Sequence, residues 1–189
     1  MTHTIHEPGR EIPVAAETDV LVAGGGPAGI AAALSAARAG VRTLLLERYG
    51  YLGGMITGAY VVAIIGMGDG YGPVAQGISA ELRERMERYG AVELRKDPGD
   101  YAVDAELFKW QAVEMLEEAG VQIRLHTWAC APILEQGRPA TVRGLYAESK
   151  NGREAFLAQV TIDTTADADI VVGAGGACDR AARPGNAAR

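Results

Sequence analysis

Residues 19–29 read DVLVAGGGPAG, and residues 44–47 read LLLE. The first run is an apolar strand followed by a glycine turn and the start of a helix. The second run is an apolar strand that ends in an acid, about 20 residues after the turn. Because strand, turn, helix and acid occur in the order that a dinucleotide-binding βαβ unit requires, the stretch predicts a Rossmann-like nucleotide-binding domain.

Four residues of this unit have separate physical tasks. Gly24 allows the tight turn out of the first strand, Gly26 lets a pyrophosphate approach the backbone, and Gly29 lets the helix pack close to the strand. The N–H groups and the positive end of the helix dipole then face the phosphates. Glu47 is placed to accept hydrogen bonds from ribose hydroxyls.

Apolar periodicity and turn residues predict the remaining elements. Parallel strands are expected at 20–23, 42–46 and 121–125, and helices at 28–39, within 73–89 and at 104–119. Strand candidates at 128–134, 142–149 and 155–162, separated by turns at 136–139 and 151–152, predict an antiparallel meander. The expected class is α/β, a Rossmann-like parallel sheet flanked by helices with a three-stranded antiparallel meander.

One domain is the default for a chain of 189 residues. We expect an extended leader at 1–17, where two prolines oppose a helix, and a nucleotide-binding domain at 18–176. Residues 50–103 are interpreted as a loop and helix insertion over the site, and 177–189 as a tail without regular structure.

Composition excludes several other classes of protein. A net charge of −6 without a dense Lys/Arg stripe argues against nucleic acid as a partner. The two cysteines, Cys130 and Cys178, are far apart, which argues against a disulfide framework and favours a reducing cytoplasm. The N-terminus lacks a signal-peptide core, and the longest apolar stretch, 59–65, is too short to span a membrane.

Four stretches together resemble a known family. They read REIPV at 10–14, the run from the glycine turn through ERYGYLGGM at 47–55, DAELFK at 104–109, and IDTTADAD at 162–169. The chain resembles FAD-dependent oxidoreductases of the glutathione-reductase-like class, in particular the branch related to the flavin subunit of heterodisulfide reductase. Members of that branch continue into a substrate domain, so the chain is expected to be the N-terminal portion of such an enzyme.

The resemblance implies FAD as the cofactor and assigns roles to matching residues. The FAD pyrophosphate would lie against Gly24, Gly25, Gly26, Pro27, Ala28 and Gly29. The adenosine would lie against Glu47, Arg48 and the backbone of Ala129 or Cys130. The pyrophosphate and ribityl chain would run along Gly53, Gly54 and Met55, and Asp167 would approach the flavin. The family has a glycine where this chain has Ala166, which we expect to shift a turn or weaken binding.

Several alternatives stay open at this level. The glycine pair after Glu47 favours FAD over NAD(P), although a plain flexible loop would also explain it. An NAD(P)-binding Rossmann enzyme and a non-catalytic nucleotide-binding domain are the competing hypotheses. Asp163, Asp167 and Asp169 are interpreted as helix-N-terminal acids and cofactor contacts rather than metal ligands.

No catalytic side chains can be assigned, because no Ser/His/Asp or Cys/His arrangement stands out. Trp110 and Trp128 are expected to be packing residues, and Cys130 a small buried one. The expected partners are a small-molecule substrate or electron donor or acceptor, with a homo-oligomer or partner chain that completes the site.

Overall fold

The computed structural model describes residues 4–6, 9–135 and 141–177. The strands are β1 (Val14–Ala23), β2 (Thr43–Leu46), β3 (Ala63–Ile64), β4 (Val92–Leu94), β5 (Tyr101–Val103), β6 (Gln122–Arg124), β7 (Trp128–Glu135), β8 (Thr141–Ser149) and β9 (Gly152–Asp163). The helices are α1 (Pro27–Arg38), α2 (Met55–Gly58), α3 (Ile78–Glu87), α4 (Ala105–Glu118) and α5 (Asp169–Gly173).

A six-stranded sheet in the order β6-β2-β1-β9-β8-β7 forms the centre of the molecule. β2 pairs in parallel with β6 and with β1, and β1 pairs in parallel with β9. β7, β8 and β9 form an antiparallel meander. The predicted parallel sheet and the predicted meander are both confirmed. The hairpin predicted at 151–152 joins β8 to β9, and the turn predicted at 136–139 lies outside the described residues.

β1 begins earlier than the sequence predicts, because it extends into the stretch interpreted as a leader. Val14 pairs with Ala155 and Ala16 pairs with Phe156, so residues 14–17 belong to the sheet. The Ala155 N–H also donates to the Pro13 carbonyl at 2.8 Å. Pro13 opposes a helix but permits an extended strand, and the pairing partner lies more than a hundred residues away in sequence.

Both faces of the parallel sheet are buried, which explains its unbroken apolar strands. Val22 and Leu45 point to one face, where they pack against apolar side chains of α1 and α4. Leu21 and Leu44, their neighbours in sequence, point to the other face and pack against Phe156 from the meander. The parallel sheet is therefore held between a helical layer and the meander, and its carboxyl ends are left free to build a site.

The segment 50–103 contains more regular structure than the predicted loop and single helix. β3, β5 and β4 form a small antiparallel sheet that the sequence does not predict, because strands of two or three residues are too short to show a period of two. The helices that flank this sheet agree with the expected ones. The Asp104 carboxylate caps α4 by accepting the Leu107 N–H at 2.8 Å, as its N-cap position predicts.

Candidate functional site

A cavity of about 620 Å³ opens at the carboxyl ends of β1, β2 and β9. Most of the residues predicted to contact a cofactor line it, namely Gly24, Gly26, Pro27, Ala28, Glu47, Arg48, Gly54, Met55 and Ala129. The other predicted residues do not line it, namely Gly25, Gly29, Gly53, Cys130 and Asp167. The sequence does not predict a cofactor contact for several further wall residues, namely Leu46, Tyr49, Gly58, Ala59, Thr127, Trp128, Thr164, Thr165, Ala168 and Val171.

Two glycines of the turn are required by the packing of the protein itself. Gly24 has a φ of +109°, and a Cβ there would collide with the Thr164 carbonyl. A Cβ on Gly29 would collide with the Gly24 carbonyl, because α1 lies so close to β1. These two positions therefore shape the turn whether or not a ligand is bound.

Gly26 differs from both, because nothing in the protein requires a glycine there. Its φ is −71°, which any residue adopts, and a Cβ would meet only the Gly54 Cα at 3.9 Å. Gly26 is also the N-cap of α1, and no side chain caps that helix. The first-turn N–H groups are thus free to bind an anion beside a position that leaves room for one. This arrangement fits the pyrophosphate of a dinucleotide.

The second glycine pair is tied to the first turn rather than being a loose loop. The Gly53 N–H donates to the Gly25 carbonyl at 2.8 Å, and Gly53 has a φ of +108°. A Cβ on Gly53 would lie 2.6 Å from the Thr57 hydroxyl. A Cβ on Gly54 would lie 3.1 Å from the Gly26 Cα, so the two glycine backbones lie against each other where both line the cavity.

Glu47 links the end of β2 to the glycine turn. Its side chain is only 5% exposed, and its two carboxylate oxygens accept the Gly25 N–H at 2.6 Å and the Tyr49 N–H at 2.8 Å. An ionised carboxylate offers about four acceptor positions, so two remain for ribose hydroxyls. The acid is predictable from sequence, but its contact with Gly25 is not, because it joins the ends of β1 and β2 in the folded protein.

Aromatic and cationic side chains collect at the Glu47 end of the cavity. The Arg48 guanidinium carbon lies 4.7 Å from the centroid of the Tyr49 ring. Trp128 lines the cavity and is 57% exposed, so it is not the packing residue that the sequence predicts. Cys130 is exposed rather than buried, because its position in β7 turns it away from the core.

Asp163 organises the opposite wall, where β9 ends. One carboxylate oxygen accepts the Thr165 N–H at 3.0 Å and the Thr165 hydroxyl at 2.7 Å, and the other accepts the Ile170 and Val171 N–H groups at 3.0 and 2.9 Å. Burial raises the pKa of Asp163, but these hydrogen bonds outweigh burial and hold the pKa below its ordinary value. The carboxylate therefore acts as a helix-N-terminal acid for α5, as the sequence predicts.

The position that is glycine in the resembling family keeps a glycine-like backbone in this chain. Ala166 has a φ of +79° and lines the cavity, while Asp167 beside it is exposed and does not. A left-handed backbone costs a residue with a Cβ about 1–2 kcal/mol. Ala166 therefore occupies this turn at a cost in backbone strain.

Replacing Ala166 with glycine is expected to stabilise the fold by about 0.5–1 kcal/mol. Relief of the left-handed strain is partly offset by the roughly 0.4–1 kcal/mol that a more flexible unfolded chain costs. The urea midpoint measures the change, and Ala31→Gly in α1 is the matched control, expected to destabilise by about 1 kcal/mol. A destabilised Ala166→Gly variant would contradict the assignment of strain to this position.

The glycine turn after β1, the uncapped N-terminus of α1 and the acid Glu47 lie together at one edge of a parallel sheet. This combination defines a dinucleotide-binding domain. The model of the FAD dependent oxidoreductase family matches residues 19–187 of the chain. The chain therefore belongs to this family, whose cofactor is FAD. Within the part of the chain that the structure describes, no helix has the length and apolar character needed to cross a membrane.

Curated relatives include two archaeal enzymes. The digeranylgeranylglycerophospholipid reductase of Methanoculleus marisnigri is 30% identical over 165 residues, which cover 77% of this chain and 42% of the relative. Digeranylgeranylglycerophospholipid reductase 2 of Methanopyrus kandleri is 32% identical over 149 residues, covering 77% of this chain and 37% of that protein. The chain thus spans roughly two fifths of the length of these relatives.

Solved structures share the fold at lower identity. THI4 of Thermovibrio ammonificans superposes with a TM-score of 0.61 at 24% identity, covering 83% of this chain and 61% of that one. A geranylgeranyl bacteriochlorophyll reductase-like protein from Thermoplasma acidophilum gives a TM-score of 0.54 at 22% identity, covering 78% and 38%. These two likenesses establish the architecture only.

Proposed function

We propose that this chain forms the FAD-binding part of an oxidoreductase and holds the dinucleotide in the cavity at the carboxyl ends of β1, β2 and β9. The observation that carries the proposal is Gly26, a position that the protein's own packing leaves open beside the uncapped start of α1. The bound flavin would supply hydride or electron transfer. The chain's own residues would bind the cofactor, orient it and exclude water from part of its surface.

Each wall of the cavity has a task under this proposal. The α1 N-terminus would hold the pyrophosphate, and Glu47 would accept hydrogen bonds from the ribose hydroxyls while it keeps its two backbone contacts. Gly54 and the turn from Asp163 to Ala168 would enclose the remainder. The acid and base of the reaction are left to substrate, solvent or other parts of a longer protein.

Cofactor binding is the direct test. The purified chain, incubated with FAD and freed of excess ligand, is expected to retain flavin absorbance near ~450 nm. Titration with NADH in parallel separates this proposal from an NAD(P)-binding enzyme. Retention of NADH without any retention of FAD would overturn the proposal, and turnover of a dye acceptor by the loaded chain would exclude a purely non-catalytic domain.

For the substrate we propose an unsaturated isoprenoid lipid, because the relatives at 30–32% identity are named digeranylgeranylglycerophospholipid reductases. A second candidate, reduction of a disulfide, rests on the four stretches that resemble the branch related to heterodisulfide reductase. The longest natural polypeptide that contains this chain, loaded with FAD and supplied with a reductant, distinguishes the two. Saturation of geranylgeranyl double bonds supports the first candidate, and disulfide reduction alone supports the second.

A further inference from the structure

We propose that Trp128 is the adenine-binding side chain of this site, with its indole forming the stacking surface for the base. The proposal rests on the proposed function, since it concerns how the chain holds the ADP half of FAD. It differs from the expectation that backbone atoms of Ala129 or Cys130 meet the adenine, because it gives the contact to a side chain that the sequence predicts to be a packing residue.

The backbone fixes Trp128 beside the carboxylate proposed to bind the ribose. The preceding residue, Thr127, donates its N–H to the Glu47 carbonyl at 2.9 Å, and its hydroxyl donates to the Leu125 carbonyl at 3.0 Å. β7 therefore starts next to the end of β2. Because adenine is bonded directly to that ribose, the base has to lie near Glu47, at the end of the cavity that Trp128 lines.

The exposure of Trp128 indicates that its indole has room for a planar partner. Trp128 is 57% exposed although it lines a concave site, and no ring or cation contact to it occurs among the described residues. Trp110, by contrast, packs edge-on against Tyr89 with the ring centroids 5.1 Å apart. A base stacked on the Trp128 ring would remove apolar surface from water, a contact that contributes roughly 1–3 kcal/mol in nucleic-acid-binding proteins.

The distribution of aromatic side chains distinguishes the two ends of the cavity. Among the described residues, the aromatic side chains in the cavity wall are those of Tyr49 and Trp128. The Tyr49 N–H donates to the Glu47 carboxylate, and Trp128 follows Thr127, whose N–H donates to the Glu47 carbonyl. The Tyr49 ring contacts the Arg48 guanidinium and also stacks on Tyr51, with ring centroids 5.5 Å apart. Tyr49 is thus already engaged, which leaves the Trp128 indole as the available stacking surface.

Binding of ADP and of inorganic pyrophosphate to the variants tests the role of Trp128. Trp128→Ala is expected to weaken ADP and FAD binding by about 5- to 150-fold, the equivalent of one stacked base, and to leave pyrophosphate binding unchanged. Trp128→Phe should recover most of the affinity. Trp110→Ala is the matched control, because this tryptophan is 43% exposed and does not line the cavity. Intrinsic tryptophan fluorescence should be quenched by ADP in the wild type and the Trp110→Phe variant, but not in Trp128→Phe.

The outcomes separate this proposal from the proposed function. Equal ADP affinity for the wild type and Trp128→Ala overturns the adenine contact while FAD binding stands. A parallel loss of ADP and pyrophosphate binding by Trp128→Ala also overturns it, since the residue would then support the site rather than touch the base. Absence of both FAD and ADP binding in the wild type contradicts the proposed function itself.

Discussion

Replacing Gly26 with valine is expected to lower the affinity for FAD by about 100-fold or more and to leave the fold intact. The valine side chain would occupy open space beside the start of α1, where a Cβ meets no protein atom closer than 3.9 Å and where the pyrophosphate is proposed to bind. Overfilling a packed space typically costs about 1–3 kcal/mol and occasionally more, and the upper end of that range corresponds to about 150-fold in affinity. Equilibrium dialysis with FAD measures the loss, and circular dichroism checks the fold.

Two other glycine substitutions make the comparison specific. Gly72→Val should bind FAD normally, because a Cβ there meets nothing within 4 Å and Gly72 lies outside the cavity. Gly29→Ala should lose folding stability as well as FAD binding, because its methyl group would overlap the Gly24 carbonyl and separate α1 from β1. If Gly26→Val bound FAD as tightly as the wild type, the pyrophosphate could not lie against Gly26.

Replacing Asp163 with asparagine is expected to destabilise the domain by about 3 kcal/mol. The carboxylate accepts four hydrogen bonds, and an amide can accept those at one oxygen only, leaving the Ile170 and Val171 N–H groups facing an NH₂ group. Hydrogen bonds to a charged acceptor contribute roughly 1.5–3 kcal/mol each. Urea unfolding at neutral pH measures the loss, and Asp167→Asn, at an exposed position, is the control that should be neutral.

The same carboxylate predicts how stability depends on pH. Because the pKa of Asp163 is lower in the folded state than its ordinary value of 3.8, the folded state is stabilised at pH values above that ordinary value. This contribution disappears as the pH falls from about 4 through the folded-state pKa. The wild type should therefore lose its advantage over Asp163→Asn in acid, and an advantage that grew on acidification would contradict the lowered pKa.

The sequence predicts the parts of the fold that are encoded locally. The βαβ unit is predictable because glycine turn, apolar strands and acid lie within 29 residues of one another, from 19 to 47. The meander is predictable from its turn residues, and α4 from its N-cap Asp104. The small β3-β5-β4 sheet is not, because its strands are short and β3 pairs with β5 residues that lie almost forty positions further along the chain, as Ala63 does with Ala102.

The candidate site follows the same division. The glycines of the turn and the acid Glu47 can be predicted from the sequence by their residue types and spacing. The contacts that hold them in place cannot, since the contact of Gly25 with Glu47 joins the ends of β1 and β2, and that of Asp163 with Val171 joins the end of β9 to α5. The strained φ of Ala166 and the exposed indole of Trp128 likewise depend on the folded chain, and only the unusual alanine leaves a signal in the sequence.

β9 is a single strand of 12 residues that pairs antiparallel with β8 at its start and in parallel with β1 along most of its length. The hydrogen bonding of the sheet therefore continues without a break from the meander to the parallel strands. Trp128 at the head of β7 and Asp163 at the end of β9 are attached to one continuous hydrogen-bonded framework. Hydrogen exchange should therefore show the backbone amides at the two ends of the cavity becoming exposed in the same cooperative unfolding event. A cofactor would then bind to a rigid site rather than to two lobes that close around it.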